Sequence, residues 1–229
     1  MGCLGPDGAV PHSTSLVVGE AALTLDATPW RAAAGGRMVR GVATTASDLR
    51  RTTIPSERLS LTSFEQADAR AVFAAIDRTL ARFMVWDPPT SLEAFERTGA
   101  DWLARMEKGS DLPLLIRAAA TREFLGMATL QNLDTSEPRL GIWLKEGAHG
   151  KGYGREAGHA LLNWLREAMR VEFVHYPVVA GDIPSKRLAE ALGGKKGGSH
   201  AHRKAWGAEL KVLEYRIDTG LPIPPPRGK

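Results

Sequence analysis

The sequence has almost no cysteine, since Cys3 is the single one among 229 residues. This excludes an internal disulfide and any metal site built on several cysteines. No stretch approaches the run of about eighteen apolar residues that a membrane-spanning helix requires, so no membrane partner is expected. A chain without disulfides suits a reducing compartment, and we expect it in the cytoplasm.

The chain also lacks a strong excess of charge. Its formal net charge is +4 at pH 7, and 24% of its residues are charged. A small positive excess suits an anionic ligand but gives no reason to expect DNA as a partner. The hydrophobic content of 43% is typical of a globular protein with a full core.

Acidic residues are absent between Ala27 and Ser47, and the first fifty-odd residues are rich in Gly, Ala, Ser and Thr without a sustained period. We expect residues 1–55 to be a mobile extension, or to begin before a true start at Met38. Arginines without acids are also typical of an organelle transit peptide. The proline-rich end predicts a C-terminal tail over 219–229. The domain is therefore predicted over 56–218.

The hydrophobic pattern of this domain predicts the order strand, two helices, three strands, helix, strand, helix, strand. The predicted strands are 58–62, 112–119, 124–130, 140–144, 171–179 and 209–217. Helices are predicted through 72–83, after a Ser91 cap, after the glycines at 150–154, and over 184–192. Hairpins dominate the first half and crossovers the second. The expected fold is therefore α+β, a mixed sheet with helices on its faces.

Three glycines stand at alternate positions in the segment GKGYGREA, immediately before a helical stretch. The start of a helix presents unpaired N–H groups and a partial positive charge. Glycines allow positive φ and let a phosphate approach the backbone closely. Gly150, Gly152 and Gly154 therefore predict a phosphate-binding loop. The alternative is a flexible turn, for which one glycine would suffice.

Two familiar phosphate-binding patterns fit this segment poorly. Lys151 is followed by glycine, so the hydroxyl that holds magnesium in a nucleoside-triphosphate loop is missing. Residues 152–157 satisfy G-x-G-x-x-[GA], and Glu172 follows at the spacing of a dinucleotide site. However, seven residues separate Leu144 from Gly152, whereas a dinucleotide fold places its first glycine at the strand end. A dinucleotide-binding oxidoreductase is thus the weaker alternative.

The segment LGIWLKEGAHGKGYGREA resembles motif A of the GNAT superfamily of acyl-CoA-dependent N-acetyltransferases, whose core is Q/R-x-x-G-x-G/A. The segments SERLSLTSF, FLGMATLQNL and GDIPSKRLAEALGG resemble, more narrowly, the ribosomal-protein N-terminal acetyltransferase (RimJ/RimL-like) branch. The likeness runs over 57–217 in the family's order. It implies a mixed, mostly antiparallel sheet splayed after its fourth strand, with helices on both faces. It also implies acetyl-CoA as co-substrate and no metal.

The resemblance implies roles for individual residues. The phosphates of coenzyme A would rest on the backbone of 150–155, and β-strand backbone groups would line the pantetheine arm and polarise the thioester. Asp182 and Ser185 stand where the family has N-x-x-S, in which the asparagine binds the arm and the serine can protonate the leaving thiolate. The implied cofactor-binding residues are Ile142, Trp143, Leu144, His149, Gly150, Lys151, Gly152, Tyr153, Gly154, Arg155, Asp182 and Ser185.

Two positions depart from the family pattern. His149 stands where Arg or Gln is usual, and it adds positive charge only when protonated. Asp182 stands where Asn is usual, and a carboxylate cannot donate a hydrogen bond and repels phosphate at short range. We therefore expect weaker cofactor affinity. A catalytically impaired, CoA-binding regulatory module is the alternative to a working N-acetyltransferase.

Three residues are candidates for proton transfer. Ser185 is the predicted donor to the leaving sulfur, or alternatively only a cap at a helix start. His175 is a candidate base because imidazole titrates near neutral pH, although a strand histidine is often structural. Glu146 is a second candidate, or a solvated loop carboxylate. An α-amine is easier to deprotonate than a lysine amine, so a protein N-terminus or a small amine is the expected acceptor.

The basic segment KKGGSHAHRK, at 195–204, is predicted to be a solvated hairpin connection, with contact to an acidic acceptor or to ribosomal RNA as the alternative. His200 and His202 have no third ligand at a suitable spacing, so no metal site is expected there. Trp86 and Trp102 are expected in the core, and Trp86 could instead line the acceptor cleft. Both a monomer and a homodimer fit the sequence.

Overall fold

The structure, a computed structural model, describes residues 46–220, in which eight strands and six helices alternate. The strands are β1 Thr53–Pro55, β2 Leu59–Ser63, β3 Leu112–Ala118, β4 Phe124–Gln131, β5 Arg139–Leu144, β6 Phe173–Val179, β7 Lys195–Arg203 and β8 Glu209–Asp218. The helices are α1 Ala46–Arg50, α2 Ala69–Ala75, α3 Arg78–Ala81, α4 Leu92–Glu107, α5 Tyr153–Trp164 and α6 Ile183–Ala191. None of these helices has the length and hydropathy that crossing a membrane would require.

All eight strands form one sheet, in the order β1-β2-β3-β4-β5-β6-β8-β7. Neighbouring strands are antiparallel except β5 and β6, which are parallel. Within residues 46–220, β5 and β6 pair at one position, Arg139 with His175. The sheet therefore has a first half, β1–β5, and a second half, β6, β8 and β7, which separate toward the C-terminal ends of β5 and β6.

This topology confirms the mixed, mostly antiparallel sheet that splays after the LGIWL strand. That strand is the fifth in the structure because β1 precedes the predicted first strand. The same topology contradicts the dinucleotide-binding alternative, which requires an open, mainly parallel sheet with a doubly wound order.

Helices cover the two faces of the sheet unequally. The α5 and α6 face shares a core in which Leu161, Tyr176 and Ala189 are buried together. On the opposite face, α2 and α4 pack with Phe95 and Met127 in a smaller cluster. Among the described residues, that cluster includes none from β6, β7 or β8. The face of the second half opposite α6 is called the open face below.

The helix predicted through 72–83 is two short helices instead. The Asp77 Oδ1 accepts a hydrogen bond from the Leu80 N–H at 2.7 Å, which begins α3 anew after the extended residue Ile76. Aspartate competes with helix-interior hydrogen bonding and favours the N-cap position. The apolar spacing alone could not reveal this cap. The predicted Ser91 cap of α4 is confirmed, with Oγ accepting from the Ala94 N–H at 3.2 Å.

The predicted hairpin connection at 195–204 is wrong, because most of it is the strand β7. It pairs with β8 along its length, with an irregular register between Lys196 and Ser199. Gly197 and Gly198 occupy this bulge, a common place for glycine in a strand. The composition misled the prediction, since glycine and lysine are depleted in strands and most β7 side chains are exposed.

The predicted domain boundary at Ser56 lies too late. Leu49 of α1 and Ile54 of β1 are both buried, and Ile54 is the partner of Leu61 in β2. At the other end, Thr219 is buried and its N–H donates to the Glu172 carbonyl at 2.8 Å, so the fold also extends past residue 218. The expectations for residues 1–45 and 221–229 lie outside the described residues.

Replacing Ile54 with alanine should lower the free energy of unfolding by about 2–4 kcal/mol, because a buried branched side chain leaves a cavity under β1. Thr53→Ala, at an exposed position of the same strand, should change it by less than about 0.5 kcal/mol. Urea denaturation of the full chain measures both values. Equally small effects would show that β1 is not part of the cooperative fold.

Candidate functional site

The helix α5 begins without a side-chain cap, at a loop of glycines. Gly152 at the N-cap has φ 80° and Gly150 has φ 73°. An L-residue in this left-handed region costs about 1–2 kcal/mol, which explains both glycines. A methyl group on Gly150 would meet nothing within 4 Å. The N–H groups of 152–155 have no acceptor among the described residues, so they remain available to an anion.

Gly154 has a different role from the other two glycines of the loop. It lies in the first turn of α5, where an added Cβ would stand 3.4 Å from a methyl group of Leu188 in α6 and 3.7 Å from one of Leu144. Both distances are ordinary van der Waals contacts, so the packing of α5 against α6 and β5 leaves room for a Cβ at this position. The sequence pattern treated the three glycines alike, whereas the structure requires the positive φ of glycine only at Gly150 and Gly152.

Arg58 and Glu156 tie the start of β2 to the first turn of α5. The Arg58 Nε donates to Glu156 Oε2 at 2.7 Å, and the Arg58 backbone N–H donates to Glu156 Oε1 at 2.7 Å. Ser56 Oγ donates to the same Oε1 at 2.7 Å. The Arg58 Nη1 donates to the Lys151 carbonyl at 3.1 Å, and the guanidinium lies 4.9 Å from the ring centre of Tyr153. A cation is thereby fixed beside the glycine loop.

The Glu156 carboxylate is shifted toward its ionised form. Burial raises the pKa of Glu156, but hydrogen bonds from the Arg58 N–H, the Ser56 hydroxyl and the Arg58 guanidinium outweigh burial, so the pKa lies below the ordinary 4.5. No local pattern marks this pair, because its members are 98 residues apart in the sequence. Neither Arg58 nor Glu156 was among the predicted site residues.

The side chains of the loop mainly stabilise the loop itself. The His149 ring shares a hydrogen bond at 2.8 Å between its Nε2 and the Leu144 carbonyl, in which Nε2–H is the donor. Lys151 Nζ donates to the Gly147 carbonyl at 2.8 Å. Arg155 is exposed on the first turn of α5. The departure at His149 therefore leaves the backbone of the loop intact, because the imidazole secures the end of β5.

The backbone of β5 offers part of its hydrogen-bonding capacity to the gap between β5 and β6. The His175 N–H donates to the Pro138 carbonyl at 2.8 Å, which shows that the even-numbered positions here face β6. Successive residues of a strand direct their backbone groups to opposite sides. Ile142 and Leu144 therefore present their N–H groups to the gap, whereas those of Trp143 face β4. Two of the three implied positions thus have the required orientation.

Asp182 and Ser185 interact with each other at the start of α6. Asp182 Oδ1 accepts a hydrogen bond from the Ser185 N–H at 3.0 Å, and Oδ2 accepts one from Ser185 Oγ at 2.7 Å. Asp182 is therefore the N-cap of α6, and it holds the serine proton. Ser185 is not itself the cap.

Tyr176 is a buried neighbour of this pair that the sequence analysis missed. Burial raises the pKa of Tyr176 above its ordinary value of 10, Asp182 raises it further, and a hydrogen bond with Ser185 opposes the shift. The phenol therefore keeps its proton beside Ser185 at neutral pH. The alternation of buried Val174, Tyr176 and Val178 was the signal that could have placed it on the α6 face.

His175 lies on the open face, opposite its neighbour Tyr176. Its Nε2 is hydrogen-bonded to the Glu137 carboxylate, and its ring centre lies 5.4 Å from that of Phe173. A carboxylate partner orients the imidazole, as a base in proton transfer requires. Glu137 stands in the loop before β5, and the sequence analysis did not select it.

The three catalytic candidates occupy different places around the gap. Ser185 lies beside Tyr176 on the α6 face, and His175 occupies the next position on the open face. Glu146 lies beyond Leu144, at the mouth of the gap. At about 3.3 Å per residue, Leu144 is roughly 17 Å along β5 from the position that pairs with His175. Glu146 is therefore separated from the other two. Within residues 46–220 no three metal-ligating side chains lie together.

Comparison with known proteins identifies relatives of this architecture. Residues 58–195 match the family model described as "Acetyltransferase (GNAT) domain". No curated protein matches the chain. The structure resembles that of the Salmonella typhimurium acetyl transferase that modifies the N-terminal serine of 50S ribosomal subunit protein L7/L12, with a TM-score of 0.65 at 17% identity over 73% of this chain and 99% of that one.

Two further solved structures share the fold. Mycobacterium smegmatis RimJ in complex with CoA-disulfide has a TM-score of 0.62 at 20% identity, over 72% of this chain and 84% of that chain. The ribosomal-protein-S5-alanine acetyltransferase from Vibrio fischeri has a TM-score of 0.63 at 15% identity, over 76% of this chain and 100% of that one. At such identities the likeness establishes the fold, and it agrees with the family implied by the sequence motifs.

Replacing Glu156 with glutamine should lower the free energy of unfolding by about 1–3 kcal/mol at neutral pH, because Arg58 loses its ionised partner. A carboxylate whose folded pKa lies below 4.5 stabilises the fold above that pH, and this contribution is lost as the pH falls through the folded pKa. The difference between wild type and variant should therefore shrink on acidification.

Urea denaturation at neutral pH and near pH 3 measures this difference. Glu167→Gln, at an exposed position beyond the end of α5, is the matched control and should be close to neutral at both pH values. A difference that stays constant on acidification would contradict the assigned role of Glu156.

Proposed function

Since the chain belongs to the acetyltransferase (GNAT) domain family, we propose that it is an acetyl-CoA-dependent N-acetyltransferase. It transfers the acetyl group directly from the thioester to a primary amine in a ternary complex. The observation that carries this proposal is the uncapped glycine loop of α5, which lies at the mouth of a gap between two strands that have stopped pairing.

The loop and the gap together fit the shape and charge of the co-substrate. The pyrophosphate would be held by the free N–H groups of 152–155, with the Arg58 and Arg155 guanidiniums adding positive charge. The pantetheine arm would lie along β5, where the N–H groups of Ile142 and Leu144 face the gap. From Leu144 to the closed end the gap extends roughly 17 Å, a length that suits an extended arm.

The chemistry then takes place near the closed end of the gap. The amine nitrogen attacks the thioester carbon from the open face, where His175, oriented by Glu137, accepts the amine proton. An N–H group of β5 stabilises the developing oxyanion. As the C–S bond breaks, Ser185 donates a proton to the sulfur from the α6 face. Tyr176 keeps its proton beside Ser185 and can replace the one that Ser185 gives.

The acceptor proposed is a protein N-terminus or a small amine. A lysine amine costs roughly 3 kcal/mol more to deprotonate than an α-amine at neutral pH, and a single imidazole is a modest base. The Salmonella typhimurium and Vibrio fischeri relatives are described as enzymes of ribosomal proteins. Their likeness supports a RimJ/RimL-like substrate, contact with the ribosome and a cytoplasmic location as parts of the proposal.

The proposal is tested by measuring coenzyme A binding by calorimetry and thiol release from acetyl-CoA with a panel of acceptors. The panel contains N-terminal peptides, small amines and N-blocked lysine peptides. We expect coenzyme A binding, and thiol release with an α-amine or small amine in preference to lysine. Absence of heat with coenzyme A would refute the proposed function.

Gly152→Ala should weaken coenzyme A binding about tenfold, because alanine at φ 80° costs about 1–2 kcal/mol and shifts the N–H groups that face the phosphates. Gly147→Ala is the matched control, since a Cβ there meets no atom within 4 Å and its φ lies outside the left-handed region. Calorimetry on both variants gives the two dissociation constants. Equal dissociation constants for the two variants would show that the loop is not part of the coenzyme A site.

The second candidate is a CoA-binding module with impaired catalysis, and the Asp182 contact favours it. Asp182 holds the Ser185 proton that the leaving thiolate needs, at 2.7 Å. Asparagine caps a helix as well as aspartate does, so Asp182→Asn should leave stability unchanged. Tight binding without thiol release by the wild type, together with turnover by Asp182→Asn, would establish the module. Turnover by the wild type would exclude it.

A further inference from the structure

The two halves of the sheet need a connection beyond the one backbone pair at Arg139. On the helix face, α5 packs against the first half and α6, and α6 packs against β6, so the halves are joined there. The open face has no such helix in the part of the chain that the structure describes. The chain segment 82–91, between α3 and α4, crosses the mouth of the gap on this side.

Segment 82–91 contacts both the first and the second half of the sheet. The Trp86 ring lies 5.8 Å from that of Trp102 in α4, within the cluster that covers the first half. Phe83 reaches Gly181, the residue shortly after β6, where an added Cβ would stand 3.7 Å from its ring. The segment therefore spans the place where β5 and β6 are furthest apart.

Lys204 fastens this segment to the second half. It follows β7 directly, and its side chain is fully buried, with 0% exposed. Its Nζ donates to the Trp86 carbonyl at 2.7 Å and lies 3.1 Å from Asp87 Oδ1. The other Asp87 oxygen accepts from the Ala205 N–H at 2.7 Å. Nζ also lies 4.8 Å from the ring centre of Trp206. These contacts are called the Lys204 latch.

A buried ammonium is tolerated only when its charge is paired and its protons are bonded. The latch pairs the charge with Asp87 and bonds one ammonium proton to the Trp86 carbonyl, joining chain positions 118 residues apart. Both of its ends border the open face, from which the proposed acceptor enters. A hydrophobic residue at position 204 could fill the same volume, but it could not bind the Trp86 carbonyl and the Asp87 carboxylate together. The latch thus fixes the relative position of the two walls.

Polar side chains of β7 and β8 lie on the open face beside the latch. His200 and His202 share one side of β7, and His200 Nδ1 lies 3.6 Å from Glu214 Oε1 in β8. Glu214 is paired with Arg139 of β5 at 2.7 Å. Burial lowers the pKa of His202, and the nearby Lys204 charge lowers it further against the opposing effect of Asp87. The second wall therefore presents two imidazoles and the Glu214–Arg139 ion pair beside the gap.

We propose that Lys204 is a positioning residue that sets the width of the β5–β6 gap on the open face and thereby determines which amines enter. The inference rests on the proposed function, because the acceptor is defined by it. Lys204 itself makes no contact with the reacting atoms. Its effect is expected on the acceptor and not on the phosphate loop, which lies on α5 at the opposite face.

The kinetic test compares the full chain with its Lys204→Met variant. Misplacement of about 1 Å in a substrate wall can cost up to about 100-fold in rate, so kcat/KM for the acceptor should fall by at least tenfold. The dissociation constant for coenzyme A should change less than about twofold, because a Lys204 substitution leaves the α5 loop in place. Lys196→Met, at an exposed position of β7, is the matched control and should change neither value.

Asp87→Asn removes the charge that pairs with Lys204. Trp206→Ala removes the ring beside the Lys204 Nζ, and this ring tolerates truncation because it is 61% exposed. If Lys204 and Asp87 act as one unit, the double variant should be no worse than the more affected single variant. Equal loss of acceptor and coenzyme A affinity, or a wild-type acceptor KM in folded Lys204→Met, would overturn the proposal.

A distance measurement separates this proposal from the proposed function. Spin labels on Thr121→Cys and Lys211→Cys, both exposed and near the mouth, report the separation of the two halves in a Cys3→Ser background. Lys204→Met should broaden the distance distribution whether or not the wild type releases thiol. An unchanged distribution would overturn the latch. Absence of thiol release with any acceptor, beside a broadened distribution, would refute the activity alone.

Discussion

The molecule depends on a place where a sheet stops hydrogen bonding to itself. Beyond Arg139 and His175, β5 and β6 no longer pair, so the N–H groups of Ile142 and Leu144 face the gap, while the Leu144 carbonyl accepts from His149. Buried backbone N–H and C=O groups must be satisfied by some partner. A ligand that is itself extended and carries amide groups can supply one. The gap therefore has the shape of an extended strand. That shape follows from the topology of the sheet and not from its side chains.

Charge and shape at the mouth of this gap have separate sources. Positive potential comes from the helix start and from Arg58, whereas the open space comes from glycines that place no Cβ in front of it. The ion pair of Arg58 with Glu156 couples the two, since it aligns the first turn of α5 with the first half of the sheet. The loop can therefore depart from the usual sequence at His149 without losing its backbone geometry.

The fold and the glycine loop were predictable from the sequence because their signals are local. The hydrophobic pattern located β3, β4, β5 and β8, Ser91 marked the start of α4, and the run GKGYGREA located the loop. The relevant physics, namely hydrophobic period, capping and backbone freedom, acts over a few residues. The family's motif order then confirmed how these elements are joined.

The features that the sequence did not predict are contacts between residues far apart in sequence and strands at the exposed edges of the sheet. Arg58 and Glu156, and Lys204 and Trp86, meet only after folding, and no local pattern reports such pairs. β7 was mistaken for a connection because an edge strand needs one neighbour alone and buries little apolar surface. Its partner β8 was correctly predicted as a strand, because β8 is buried between two strands. The boundary at Ser56 failed because a three-residue strand is too short to show a period.

The bulge at Gly197 and Gly198 has a consequence for the outer rim of the sheet. A regular, flat rim is a template on which another chain could extend the hydrogen-bonded ladder. Here the bulge breaks the ladder on one rim, and Lys195 and Lys196 precede it. The other rim is β1, a short strand that ends in Pro55, which has no N–H to donate. Pairing of either edge strand with another chain is thereby disfavoured. The sheet can therefore leave β5 and β6 largely unpaired in its interior without adding another chain at its edges.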